Sequence, residues 1–103
     1  MIAEEYLRNI RETSERYAFL GDAWELKGDL TKAEEAWRKS VELDPDQARA
    51  REGLARVAME ENQPTQAIEW LRPMSEGSKL TSSIAHVLKR ASGQLGEIGR
   101  AHV

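Results

Sequence analysis

The chain has 103 residues, of which 32% are charged and 40% apolar, and its net charge is -3. This describes one folded domain with a modest core, and the acidic balance argues against a nucleic-acid ligand. With no cysteine, disulfides and thiolate metal sites are excluded.

No segment alternates apolar and polar residues as a half-buried strand does. Apolar residues recur instead at three and four, the helical spacing. The first helix is expected over about residues 2–27, uninterrupted by Gly or Pro before Gly21. Along it, Tyr6, Ile10, Thr13, Tyr17, Leu20 and Trp24 alternate steps of four and three, a heptad-like seam. Gly28-Asp29 is the first strong stop signal. A second helix follows over Leu30 to Leu43, with Ala33, Ala36, Trp37, Ser40 and Val41 on one face. Asp44-Pro45-Asp46 ends it, because the residue before proline is pushed out of the α region.

The third helix is predicted from about Asp46 to Glu61, burying Leu54, Ala55, Val57 and Ala58, and Asn62-Gln63-Pro64 forms the next turn. A fourth helix over about 64–76 carries Ala67, Ile68, Trp70, Leu71 and Met74, and Pro73 predicts a kink or an early end. After a loop at Glu76-Gly77-Ser78, Thr81 or Ser82 caps a fifth helix over about 82–94. That helix is read as burying Ile84, Ala85, Leu88 and Ala91 and as closing at Gly93 and Gly96, leaving 97–103 a turn or two.

A spacing of 34 residues recurs through these elements. It relates Leu20, Leu54 and Leu88, then Ala33, Ala67 and Ala101, then Ala23, Val57 and Ala91. Gly28, Asn62 and Gly96 share one register position, and all three tolerate a left-handed backbone. A fixed period of this size means stacked helical hairpins.

The first unit carries a recognisable pattern: Tyr17, Leu20-Gly21, Trp24, then Ala33, Trp37 and Pro45. This resembles the tetratricopeptide repeat signature, and GDLTKAEEAW resembles that family's inter-helix turn. The physics agrees: Gly21 and Ala33 are small where paired helices approach, the tryptophans fill space, and Pro45 frees the next unit to stack. The second unit fits at Leu54, Ala55, Ala67 and Leu71 but has Ala58 for an aromatic and Lys79 for the terminal Pro. The third fits at Leu88 and GEIGRA and departs at Lys89 and Ser92.

The expected architecture is therefore all-α, a right-handed α-solenoid of antiparallel helix hairpins with about two and a half repeats. It is read as one domain over 1–103: an N-terminal helical extension over 1–13, repeats over 14–47 and 48–81, and an incomplete repeat over 82–103.

The resemblance implies a protein–protein interaction or scaffold module with a protein or peptide partner held in a groove lined by the first helix of each pair. The groove positions are Asp22 and Glu25 in the first unit, Arg49, Glu52, Arg56 and Met59 in the second, and His86 and Arg90 in the third. Residues 1–47 are net -5 and residues 48–103 net +2, so this groove would run from acidic to basic. The same residues also read as a solvated face with ion pairs such as Arg49–Glu52 and Glu52–Arg56. In one subgroup of the family, Lys and Asn clamp a carboxylate, but Ala18 and Asp22 stand where those donors are sought.

A second expectation is a homo-oligomer, formed through Ile2, Tyr6, Leu7 and Ile10 at one end or Ile84 and Leu88 at the other. A weak RNA-binding repeat is a third, with Lys79, Lys89, Arg90 and Arg100 as a small basic patch opposed by the acidic first unit. No enzyme is expected: His86 and His102 lack carboxylates at ligand spacing, and GQLGEIG falls at a repeat turn. No cofactor or metal is implied. No apolar run approaches the roughly 18–20 residues of a membrane span. The acids in MIAEEYLRNI do not suit a signal peptide, so the chain reads as cytoplasmic.

Overall fold

The computed structural model describes residues 2–75 and 77–101, and for residues 2, 78 and 97–101 the backbone alone. The described residues form five α-helices and two short 3-10 turns, with no strand among them. The chain packs as two compact units, 1–53 and 54–103, and the boundary falls inside the third helix.

In the first unit α1 (Ile2–Leu26) pairs with α2 (Leu30–Leu43), and the first turns of α3 (Ala48–Glu60) complete it. α1 is one continuous helix, as the absence of Gly or Pro before Gly21 leads one to expect. Its hairpin turn is set by Gly28 at φ +86°. The Asp29 N–H donates to Trp24 O at 2.9 Å and the Gly28 N–H to Glu25 O at 2.9 Å, the paired bonds of a left-handed helix stop. Asp29 then caps α2 by accepting from the Lys32 N–H at 3.0 Å. α2 ends where the proline rule puts it, with Asp44 extended at φ -140° and ψ 100°.

Large apolar residues do not mark the buried line of α1. Ser14 and Ala18 are fully buried, and Gly21 lies directly against Trp37. The Ser14 hydroxyl donates to Ser40 O at 2.8 Å while the Ser40 hydroxyl donates to Ser14 O at 2.7 Å. Two small polar residues thereby satisfy each other and let the helices approach closely. Trp37, fully buried, donates its indole N–H to Ala18 O at 3.1 Å and to Asp22 Oδ1 at 3.2 Å. The seam of Tyr6, Tyr17, Leu20 and Trp24 stands beside this line and stays at least partly exposed, with Tyr6 64% and Leu20 45% accessible.

α1 is also much longer than its partner. At ~1.5 Å per residue its 25 residues outrun the 14 of α2. Ser14 already lies opposite Ser40, so roughly the first ten residues of α1 pass beyond the end of α2. Residues 3–9 of this overhang are all exposed.

In the second unit the later turns of α3 pack with α4 (Pro64–Leu71) and α5 (Ser82–Ala101). Asn62 at φ 58° repeats the left-handed stop of Gly28, with the Gln63 N–H on Ala58 O at 2.8 Å and the Asn62 N–H on Met59 O at 3.1 Å. Pro64 opens α4, and the helix gives way to a 3-10 turn at Arg72–Met74, the early end expected from Pro73. The core gathers Ala55, Ala58, Met59, Ala67, Leu71, Met74, Ile84, Val87 and Ala91, with Ile68, Trp70 and Leu88 packed against it.

Several expectations are corrected here. Met59 is 3% exposed, a core side chain and no groove contact. Ile84 is 1% exposed and Leu88 half-buried, because α4 and the Arg72–Met74 turn cover the flank expected to lie open. Ala85 faces solvent; Val87 takes its place in the core. α3 begins at Ala48 rather than Asp46.

The largest difference is at α5, which runs on through Gly93 and Gly96 to Ala101. Neither glycine has a positive φ, so Gly96 does not share the conformation of Gly28 and Asn62. A helical glycine costs about 1 kcal/mol, too little to end a helix unless a left-handed cap also forms. A Cβ at Gly96 would meet nothing within 4 Å. Gly96→Ala is therefore expected to raise stability by about 0.5–1 kcal/mol in urea unfolding. A loss would mean that the residue serves as a stop after all.

Candidate partner-binding surfaces

Helical geometry leaves α1 two outward faces, each about a quarter turn from the buried line. The first carries Phe19 and Asp22. Arg49, from the start of α3, donates to Asp22 Oδ2 at 2.8 Å, and its guanidinium lies 4.6 Å from the centre of the Phe19 ring. Phe19 remains 48% exposed beneath it. A shallow cleft of about 220 Å³ beside the ring is lined by Glu12, Glu15, Arg16 and Phe19. Asp22 thus has two roles, accepting from Trp37 on its inner side and from Arg49 on its outer side. Glu25 and Glu52 are half-buried in the same unit.

The second outward face is the seam. The Lys32 ammonium lies 4.4 Å from the Trp24 ring centre and that of Lys27 5.7 Å from it, while Lys39 lies 5.7 Å from that of Tyr17. Two clefts of about 320 and 420 Å³ run along this face. They share Tyr17 and Lys39 in their walls and reach Leu20 and Trp24 at one end and Leu43 at the other. Tyr6 and Leu7 stand exposed on the overhang, with Ile10 half-buried. The side chain of Ile2 lies outside the described residues.

Of the groove positions read from the sequence, the structure joins Asp22 to Arg49. In the second unit Arg56 is half-buried, His86 and Arg90 are exposed, and Met59 is withdrawn into the core. Lys79 and Lys89 are exposed, whereas the side chain of Arg100 and the whole of His102 lie outside the described residues. Sequence reasoning missed Phe19. Its signal was an aromatic residue off the seam, one turn before Asp22. The lysines over Trp24 and Tyr17 had no signal, since they come from the hairpin turn and the facing helix.

Among the described residues no three His, Asp or Glu side chains are grouped as a metal would need. No helix among them is long and apolar enough to cross a membrane. Compared with known proteins, residues 26–89 match the model of the tetratricopeptide repeat. No curated protein and no solved structure matches the chain.

Proposed function

The chain belongs to the tetratricopeptide repeat family, and on that premise we propose that it is a protein-interaction module that holds a segment of a partner protein on its first-helix faces. Repeats of this family generally mediate protein–protein contacts. In the first unit the surface is built on Phe19, Asp22 and Arg49, with Glu25 and Glu52 beside them. In the second, considered separately, it offers Arg56, His86 and Arg90. The repeats are read as 14–47 and 48–81, with an incomplete one over 82–103.

The observation that carries this reading is the half-exposed Phe19 ring under the Arg49 guanidinium. Arginine and large aromatics are the side chains through which interfaces gain most of their energy, and here both are already oriented. Asp22 holds Arg49 in place, so little further ordering entropy is lost on binding. Selection of a random-peptide display library on the full chain tests this. Peptides are expected to bind, and Phe19→Ala and Arg49→Glu to weaken them at least tenfold while the fold is retained. Failure to enrich any peptide, or undiminished binding to both variants, would contradict it.

A second reading, self-association through α1, is favoured by the exposure of Tyr6, Leu7 and Leu20 on a helix that outruns its partner.

A further inference from the structure

We infer that the partner segment held on the Phe19 face is basic and amphipathic, with a Lys or Arg side chain set against Glu12 and Glu15 and two apolar side chains on Phe19 and Leu26. This rests on the partner-binding reading of that face and names the chemistry of its partner. Phe19 and Leu26 stand seven residues apart, so they share one stripe of α1, separated by two turns or about 10.5 Å. Ala23, one turn after Phe19, is exposed between them. Leu26 is 89% exposed and Phe19 48%, which makes this end of the face apolar. The other end is acidic. Glu12 and Glu15, seven and four residues before Phe19, line the cleft of about 220 Å³ together with Arg16 and the ring itself.

Charge complementarity selects a cation for that cleft. Glu12, Glu15 and Arg16 are exposed and make no ion pair among the described residues, so two carboxylates face one guanidinium. The imbalance runs the length of the helix, where α1 carries six acidic and three basic side chains. Arg49, over the ring, is already bound to Asp22 at 2.8 Å and so has little to offer a carboxylate ligand. An acidic segment would meet Glu12 and Glu15 with like charge, whereas a basic one offsets the surplus. A Lys or Arg also suits the walls of the cleft, since its methylene stem can lie along the edge of Phe19 while its charged head reaches the carboxylates. The order of the contacts follows from the helix: the cation lies towards the N-terminus of α1, and the two apolar anchors follow towards Leu26.

Selection of the random-peptide library on the full chain gives the first readout. The enriched peptides are expected to carry a Lys or Arg beside two apolar residues, and their Kd should rise with added salt. With one such synthetic peptide as the probe, fluorescence anisotropy should give a Kd about tenfold higher for Glu12→Gln with Glu15→Gln, and about fivefold higher for Leu26→Ala. Arg16→Gln should lower the Kd, because it removes the guanidinium that opposes the incoming cation. Glu12→Lys with Glu15→Lys should reverse the preference, so that the same peptide with Glu in place of its cation binds the tighter. All of these positions are exposed, so circular dichroism should show the helical content unchanged. Enriched peptides that depend on Phe19 and Arg49 but are acidic, or that tolerate the changes at Glu12 and Glu15, would overturn the basic partner and leave the partner-binding reading of the face standing. Failure to enrich any peptide would overturn both.

Discussion

Trp37→Ala is expected to cost about 3–5 kcal/mol, the largest loss of any single truncation in the first unit. The indole is fully buried and bridges both helices of the hairpin, with its N–H shared between Ala18 O and Asp22 Oδ1. Its removal leaves those acceptors with other partners, Ala18 O in the helical ladder and Asp22 with Arg49, so most of the loss is the cavity. Stability for a chain of this size is only about 5–15 kcal/mol. Urea unfolding followed by circular dichroism should show the midpoint falling by a large fraction. A variant as stable as the parent would mean that the ring is not the keystone of the α1–α2 contact.

Gly21→Ala and Gly53→Ala are expected to destabilise the chain even though alanine is the better helix former. A Cβ at Gly21 would lie 2.3 Å from Trp37 Nε1, and one at Gly53 2.5 Å from Trp37 Cε2. The ring cannot yield, since both glycines press on it and it has no route to solvent. Overpacking costs about 1–3 kcal/mol and outweighs the ~1 kcal/mol gained from replacing a helical glycine. The sign distinguishes this from a general effect. In a Trp37→Leu background the clash disappears, and Gly21→Ala should turn neutral or stabilising, a coupling measurable by a double-mutant cycle. An unchanged cost in that background would place the fault elsewhere.

Much of the fold was legible because its punctuation is chemical. Gly28, Asn62, Pro45 and Pro64 each fix a backbone conformation, and the ends of α2 and the start of α4 follow from them. What the periodicity obscured was which stripe of α1 is buried. The eye follows Tyr17, Leu20 and Trp24, but the closest approach of two helices is made by small residues, here Ser14, Ala18 and Gly21. The larger apolar side chains were left beside that line as surface. Met59 misled for a related reason. Its helical position relative to Arg49 and Arg56 placed it on an open face, but the core of the second unit lies on the same side of the later turns of α3. Gly93 and Gly96 show the limit of punctuation, since glycine ends a helix only where a left-handed cap is hydrogen-bonded. The Phe19–Arg49 stack joins residues 30 apart, and single-helix spacing cannot reveal such a pair.

On the proposed readings, one buried line holds α1 while its two outward faces serve different contacts. Amide chemical-shift mapping of the full chain tests it most directly, with protein concentration varied first and a selected peptide then added. Dilution is expected to shift resonances along Tyr6, Ile10, Tyr17, Leu20 and Trp24, and the peptide to shift those around Phe19, Asp22 and Arg49. The Ser14–Ser40 contact should stay unmoved in both. If one set of resonances answered to both perturbations, or if the changes centred on the buried line, α1 would not carry two separate faces.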